Sequence, residues 1–393
     1  MTEVSITAAL IAKNEAERIG DCLASLAGQV DEIVVVDTGS TDATVEIARG
    51  YGARTFAEPW AGDFSAARNA ALQRATGSWI LYIDADERLS VPQGRLRDAI
   101  DPAVHAGVMV RLHPRLRHTA YQELRLFLRD PRITFTGRMH EQIIPAVQAA
   151  CASDARSIRT STVTLHHVGY EGDLSHKHDR NLPMLERAVQ EQPERLYCWC
   201  HLGETLGELG RHDAAEQALR HGIALGVRHD TAQNRVEASL CYQRLAKVLA
   251  ERGDDPRAVI AEGIRKRPDD HCLRLLAAKA EIELGDPAAA LPELGALAAI
   301  DADSFYDPLI AYDRRTFSVW PLALAGVANF RLGRFADASA AFLRAAGARD
   351  AAADEQQEYT VKARLAAARA GLLTPAAKGC PTRADGLRPV AAA

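Results

Sequence analysis

Glu32-Ile-Val-Val-Val-Asp37-Thr-Gly39-Ser-Thr-Asp42 is the stretch that decides the fold. Its apolar run is continuous rather than alternating, which suits a parallel strand covered on both faces. The run ends in a carboxylate. Ser40–Arg49 then reads as a helix, with Ser40 or Thr41 as its cap and Gly50 or Gly52 as its stop. Working outward, Ser5–Ala12 is mostly apolar and compatible with a strand. Asn14 follows as a helix N-cap, with Glu17 as its capping-box partner and Ile19, Cys22, Leu23 and Leu26 at helical spacing. On the other side, Ala53–Ala57 reads as a short strand and Ser65–Ala75 as a small-residue helix closed by Gly77. Trp79–Ile83 is a second buried strand ending in acid. This β-α-β-α-β order with short connections predicts a right-handed, parallel α/β sheet. Ligands of such sheets bind beyond the carboxyl ends of the strands, where Asp37 and Asp84 stand. Past residue 105, the segments Gly107–Leu112, Glu123–Leu128, Ile133–Thr136 and Thr162–His166 make the sheet mixed.

The strand signal stops near Asn181, where Ala-, Leu-, Glu- and Arg-rich helices joined by Gly turns begin. Trp199, Leu202, Gly203, Gly210, Ala215 and Leu219 fit the tetratricopeptide template, as do Gly326, Gly333, Ala338, Phe342 and Ala345. Leu245, Ala246, Gly253 and Ala258, and then Ala278, Gly285 and Ala290, fit between them. The turn glycines 210, 253, 285 and 333 are unevenly spaced, and a segment around Ser304–Thr316 interrupts the pattern. The expected organisation is an α/β domain over 1–180, an all-α tetratricopeptide-like domain over 181–373 and a disordered tail over 374–393.

Composition agrees with a chain that builds cores. It has 393 residues, 47% of them apolar and 25% charged, and 47 Lys and Arg against 52 Asp and Glu give a net charge of −5. That length suits two or three domains at about 150 residues each. The charge does not suit a nucleic-acid coat protein. The basic run His113, Arg115, Arg117 and His118 lacks interleaved aromatics for base stacking, so it reads as a solvated face. His176-Lys-His178 with Arg180 reads as a solvated linker, or as a contact to phosphates or acceptor. No run reaches the about 20 apolar residues of a transmembrane span, and the start lacks a basic, apolar leader. No transmembrane segment and a cytoplasmic location are the expectations. Seven scattered cysteines argue against a disulfide framework. In Cys198-Trp-Cys200-His201, residues i and i+2 of a helix point apart, so the group is no zinc site.

Three clusters carry chemistry. Asp37, followed by Gly39 and a helix start, can accept hydrogen bonds from a base or ribose, and the Gly lets a ligand approach the backbone. Asp42 does the same or merely stabilises the helix dipole. Asp84-Ala-Asp86-Glu87 follows a buried strand. On an extended backbone Asp84 and Asp86 face the same side, where two hard oxygens suit Mg²⁺ or Mn²⁺ bridged to a diphosphate. Asp63-Phe-Ser-Ala-Ala-Arg68-Asn69 offers a guanidinium with amide support, for a phosphate, a base or simply Asp84.

With their order and spacing, these clusters resemble the N-terminal half of family-2 glycosyltransferases of the GT-A fold. The matching residues are Lys13-Asn14-Glu15, Asp37-Thr-Gly-Ser-Thr-Asp42, Ala-Arg68-Asn69-Ala and Asp84-Ala-Asp86. Arg125-Leu-Phe, Gly137-Arg-Met-His140-Glu141, His167-Val-Gly-Tyr170 and Arg180-Asn181 are similar to one branch of that family, which often carries C-terminal tetratricopeptide-like helices. Peptide S-glycosyltransferases of the bacteriocin type have a similar layout. The resemblance implies a metal-dependent, inverting transfer of a hexosyl or related sugar from a nucleotide-sugar, with UDP as the nucleotide. It implies that Asp37 holds the base, near Gly39, Glu15 and the backbone from Leu10 and Ile11. Arg68 would lie near base and phosphates, and Asp84 near the ribose. Asp86 and His167 would hold Mn²⁺ or Mg²⁺, with His166 the alternative to His167. Glu141 or His140 would be the catalytic base. As an alternative to a catalytic role, His140-Glu141 reads as a loop-ordering ion pair.

Two rival readings exist. A non-catalytic scaffold would use stacked helices to bind a peptide beside a degenerate glycosyltransferase domain. A nucleotidyltransferase would open with a Gly-rich phosphate loop, and Ile11-Ala-Lys-Asn-Glu15 has no glycine. The acceptor stays open, a peptide or protein and a saccharide being equally compatible, and so does the oligomeric state.

Overall fold

A computed structural model describes residues 4–114, 117–138, 141–168, 175–229 and 231–372. The first half runs β1 (Ile6–Ala12), α1 (Ile19–Ser25), β2 (Glu32–Asp37), α2 (Thr44–Gly50), β3 (Arg54–Ala57), α3 (Phe64–Arg74) and β4 (Trp79–Tyr82). It continues with β5 (Glu87–Ser90), β6 (His105–His113), β7 (Tyr121–Leu128), α4 (Ile144–Asp154) and β8 (Ser157–His167). The strands form one mixed sheet in the order β3-β2-β1-β4-β7-β6-β8-β5. β1 is parallel to β2 and β4, with Ala12 opposite Asp37, so the ends of these strands share one rim. The apolar run of β2 is buried on both faces as expected. Val35 joins Ile19, Leu23 and Leu26 on one side, and Val34 and Val36 join Ala70 and Ala71 on the other.

The sheet must curl. Four strand steps separate β4 from β5, about 19 Å in a flat sheet. Asp84–Glu87 closes a turn with Glu87 N donating to Asp84 O at 3.0 Å, and such a turn spans under about 7 Å. Curling brings the start of β5 and the end of β8 round to the carboxyl rim of β4, where β5 pairs with β8 through Glu87 and His167.

Several local expectations are corrected. Asn14 is not a helix cap, since α1 begins at Ile19 and Asn14 sits at φ 57°. Its Oδ1 accepts from Thr41 N at 2.8 Å, while Ser40 Oγ accepts from Asn14 N at 3.0 Å. The side chains read as caps instead lace two loops together, a competition that Ser, Thr, Asn and Asp often win. α2 begins at Thr44, whose N donates to Asp42 Oδ1 at 3.0 Å. Asp84–Asp86 is a turn rather than extended chain, so the two carboxylates diverge. Ile133–Thr136 is no strand, and only Thr136 bridges to Gln142. β5 and α4 were not expected.

The second half is mainly helical, with α5 (Ser175–Glu191), α6 (Leu196–Glu208), α7 (His212–Arg228), α8 (Ala232–Arg252) and α9 (Arg257–Lys266). Then come α10 (His271–Leu284), α11 (Pro287–Ala298), α12 (Trp320–Arg331), α13 (Phe335–Ala346) and α14 (Ala353–Arg369). The four turn glycines each join a helix pair, α6/α7, α8/α9, α10/α11 and α12/α13. Gly210, Gly253 and Gly333 have positive φ, and Gly285 does not. Cys198 and Cys200 lie buried in this core. Among the described residues no helix is long and apolar enough to cross a membrane. The expected tail, from Thr374, lies outside the described residues.

Repeat geometry recurs where the template places glycine. A Cβ on Gly203 would meet Leu219, and one on Gly326 would stand 2.7 Å from the Phe342 ring. A rigid ring cannot yield cheaply, so Gly326→Ala should destabilise by about 1–3 kcal/mol, seen as a lower denaturant midpoint. Gly295→Ala, whose Cβ would meet nothing within 4 Å, is the control and should be neutral or slightly stabilising. Equal midpoints for the two variants would contradict this packing.

The interrupting segment has a structural reason. Thr119 N donates to Tyr312 O at 2.9 Å, Gln122 N to Pro308 O at 3.0 Å and Arg314 N to Arg117 O at 2.9 Å. The segment therefore grips the β6–β7 connection, and β7 carries residues of the site.

Candidate functional site

The β1–β2 rim is ordered by its own side chains. Asp37 accepts from Ser40 N at 3.1 Å and Gly39 N at 3.3 Å, and Gly39 has φ 109°, which a side chain would strain. Asp42 is engaged by Thr44 and by Ala16 N at 3.1 Å, so it holds the loops. Leu10 is fully buried in the core and Ile11 is half-buried. Glu15 receives Arg18 at 3.2 Å. Burial lifts the Glu15 carboxyl above its usual range; Arg18 partly offsets this, and the charges of Asp86 and Asp84 add to the lift.

α3 gives its motif a physical meaning. Asp63 caps the helix by accepting from Ala66 N at 3.0 Å. One turn on, Arg68 reaches Asp84 Oδ1 at 2.9 Å with one nitrogen and Glu141 Oε1 with another. Asn69 bonds both ways to the main chain of Phe135, and Ser65 Oγ donates to Gly137 O at 2.6 Å. Arg68 was expected near a phosphate, a base or Asp84, and it joins Asp84 and Glu141 together.

A second arginine, named in the sequence only as part of the Arg125-Leu-Phe motif, joins it. Arg125, 5% exposed, grips Glu87, 2% exposed, with bonds of 3.0 and 2.8 Å. It also donates to Glu123 at 3.2 Å and lies 3.9 Å from Asp84. The Tyr82 ring lies near both guanidiniums, 5.1 Å from Arg68 and 4.5 Å from Arg125. Burial works to raise the Asp84 carboxyl, but Arg68 and Arg125 outweigh it and hold it below its usual range. Asp84 therefore stays charged at the mouth of the site.

Asp86 turns away from that pair. Its Oδ2 stands 2.8 Å from His167 Nε2, with the two side chains 27% and 37% exposed. The hydrogen bond to Asp86 raises the imidazole above its usual range, and burial opposes it. A carboxylate oxygen and an imidazole nitrogen suit Mn²⁺ and, less well, Mg²⁺. Neighbouring donors of an octahedral ion are about 3 Å apart at a metal–ligand distance of about 2.1 Å, so the pair fits such an ion. Among the described residues no three His, Cys, Asp or Glu side chains converge on a point. His166 pairs with Arg88 of β5 and stacks on His113 with ring centroids 4.9 Å apart, while Asp86 bonds to His167. His140, Tyr170 and the side chains of His176, Lys177, His178 and Arg180 lie outside the described residues.

Glu87, Glu123, Ser65 and Asn69 take parts here that sequence reasoning did not assign. The acid after Asp86 and the polar residues flanking Arg68 were the available signals.

Residues 7–140 match the model of Glycosyl transferase family 2. A TPR repeat-containing protein of Synechococcus elongatus is 34% identical over 270 residues, 66% of this chain and 64% of that protein. The glycosyltransferase SunS of Bacillus phage SPbeta is 27% identical over 229 residues, 56% of this chain and 53% of SunS. This chain thus spans less than two thirds of each relative's length. The crystal structure of S. aureus TarS aligns with 70% of this chain and 55% of its own at 16% identity and a TM-score of 0.39. The stretch that matches the family model lies within the mixed-sheet domain, and tetratricopeptide-like helices follow it.

Proposed function

We propose, on the premise that residues 7–140 belong to glycosyltransferase family 2, that the protein is a metal-dependent inverting glycosyltransferase. It moves a sugar from a UDP-sugar to an acceptor shaped in part by the helical domain. One observation carries the reading: Asp86–His167 and Asp84–Arg68–Glu141 both stand at the turn that ends β4, on the carboxyl side of this sheet.

In this reading Asp37, with Gly39, Glu15 and the backbone after Leu10 and Ile11, holds the base, and Asp84 the ribose. Asp86 and His167 would hold Mn²⁺ or Mg²⁺, which neutralises the charge on a departing diphosphate. Glu141 takes the proton from the acceptor hydroxyl while that oxygen bonds the anomeric carbon and the sugar–phosphate bond breaks. Arg68 fixes the carboxylate through Oε1, and Oε2 would be the oxygen that accepts the proton. His140 is the alternative base. The test is UDP release from a panel of UDP-sugars with Mn²⁺ and then with EDTA. Release that chelation stops supports the reading, and release indifferent to chelation removes the cation from it.

The pH dependence has a defined sign. A protonated imidazole cannot bind a cation, and the hydrogen bond to Asp86 holds the His167 proton above the ordinary histidine range. UDP affinity in Mn²⁺ should therefore rise with pH through and somewhat above the ordinary histidine range, then level off. Calorimetry across about pH 6–8 checks this. A flat profile would take His167 out of the cation site.

A further inference from the structure

We propose that Asn69 is a positioning residue that sets where Glu141 stands, an inference resting on the reading of Glu141 as the base. Glu141 itself, like Phe135, Gly137 and Arg138, belongs to no helix or strand. A loop of that kind would leave a base too loosely placed for transfer. The main chain of Phe135 instead meets the Asn69 amide, with Nδ2 donating to Phe135 O at 3.0 Å and Oδ1 accepting from Phe135 N at 2.8 Å. A side-chain amide thus takes the place of a neighbouring strand, which is why Ile133–Thr136 needs no strand partner here.

The rest of the segment is tied to the same helix. Phe64 N donates to Arg138 O at 2.9 Å, Ser65 Oγ to Gly137 O at 2.6 Å, and Arg68 pairs with Glu141 itself. Thr136 and Gln142 close the loop with paired bonds of 3.0 and 2.9 Å. Four positions on two turns of α3 therefore hold Phe135, Gly137, Arg138 and Glu141, and of the four Asn69 binds through both a donor and an acceptor. Only an amide of this length serves. Aspartate would lose the donor and set a carboxylate against the Phe135 carbonyl, and alanine would lose both bonds.

Misplacing a catalytic group by about 1 Å costs on the order of 100-fold in rate. Asn69→Asp and Asn69→Ala should therefore lower kcat for UDP release about 10- to 100-fold. Their calorimetric affinity for UDP with Mn²⁺ should stay within about twofold of wild type, because the cation pair is not touched. The test combines them with Glu141→Gln in a cycle, using the UDP-sugar that releases UDP fastest. Coupled residues are non-additive, so the double variant should be no slower than Glu141→Gln alone. Wild-type kcat in Asn69→Asp, additive losses in the double variant, or UDP affinity falling in step with kcat would each overturn the positioning role and leave the base assignment standing. Wild-type kcat in Glu141→Gln would overturn the base assignment and this inference with it.

Discussion

Asp86→Ala should remove the cation-dependent part of UDP binding and lower kcat/KM for UDP release by about a thousandfold, or about 4 kcal/mol of transition-state stabilisation. Asp86 contributes the hard oxygen of the pair, and its only described side-chain partner is His167. Removing it leaves a lone imidazole, too little to retain Mn²⁺ against water. The charge on the departing diphosphate then goes uncompensated at the step where it develops. Asp84 cannot substitute, because the turn directs it to Arg68 at 2.9 Å. His167→Ala should be milder, about 10- to 100-fold, since diphosphate oxygens and water can complete the shell around a retained carboxylate. Steady-state UDP release at several Mn²⁺ concentrations reads both. Asp86→Ala activity within about tenfold of wild type would show that the carboxylate plays no part in transfer.

The largest stability effect belongs to Arg125. Its guanidinium and the Glu87 carboxylate are almost wholly buried and joined by two bonds. Arg125→Ala leaves the Glu87 charge buried without its main counter-ion, a change that costs about 3–5 kcal/mol. It also frees Asp84 and Tyr82 from one of their two cations. A folded sheet domain should give way at a clearly lower denaturant concentration while the helical region holds. Glu87→Leu with Arg125→Met should recover most of the loss, because an apolar pair of similar volume carries no desolvation cost. Circular dichroism and tryptophan fluorescence against urea measure this. Fluorescence weights the sheet domain through Trp79, although Trp199 and Trp320 contribute as well. An Arg125→Ala midpoint equal to that of wild type would mean that the pair is not buried as described.

What could be read from the sequence divides along the range of the interactions. The run from Ile33 to Val36 announced a strand covered on both faces because every position contacts a core. Asp37, Asp84 and Asp86 announced the rim because strands ending in acid leave their carboxylates beyond the sheet. The repeat glycines were legible because each turn and each close helix contact has its own local rule. Glu87 and Arg125 are 38 residues apart, and Asn69 and Phe135 are 66 apart. Only the pairing of β4 with β7 and the packing of α3 against them bring these partners together, and no periodicity records that. Asn14 and Ser40 misled for a related reason: a side chain able to cap its own helix can equally bond a loop 26 residues away. The Ser304–Thr316 segment reads as an interruption in the repeats, and its role becomes visible only against the β6–β7 connection that it grips.

The most direct measurement is a crystal structure of the protein soaked with Mn²⁺ and UDP. The account predicts an anomalous Mn²⁺ peak bonded to Asp86 and His167 and to the diphosphate, with the uracil beside Asp37. UDP bound elsewhere, or UDP at this rim with Asp86 and His167 still bonded to each other and no Mn²⁺ between them, would contradict it.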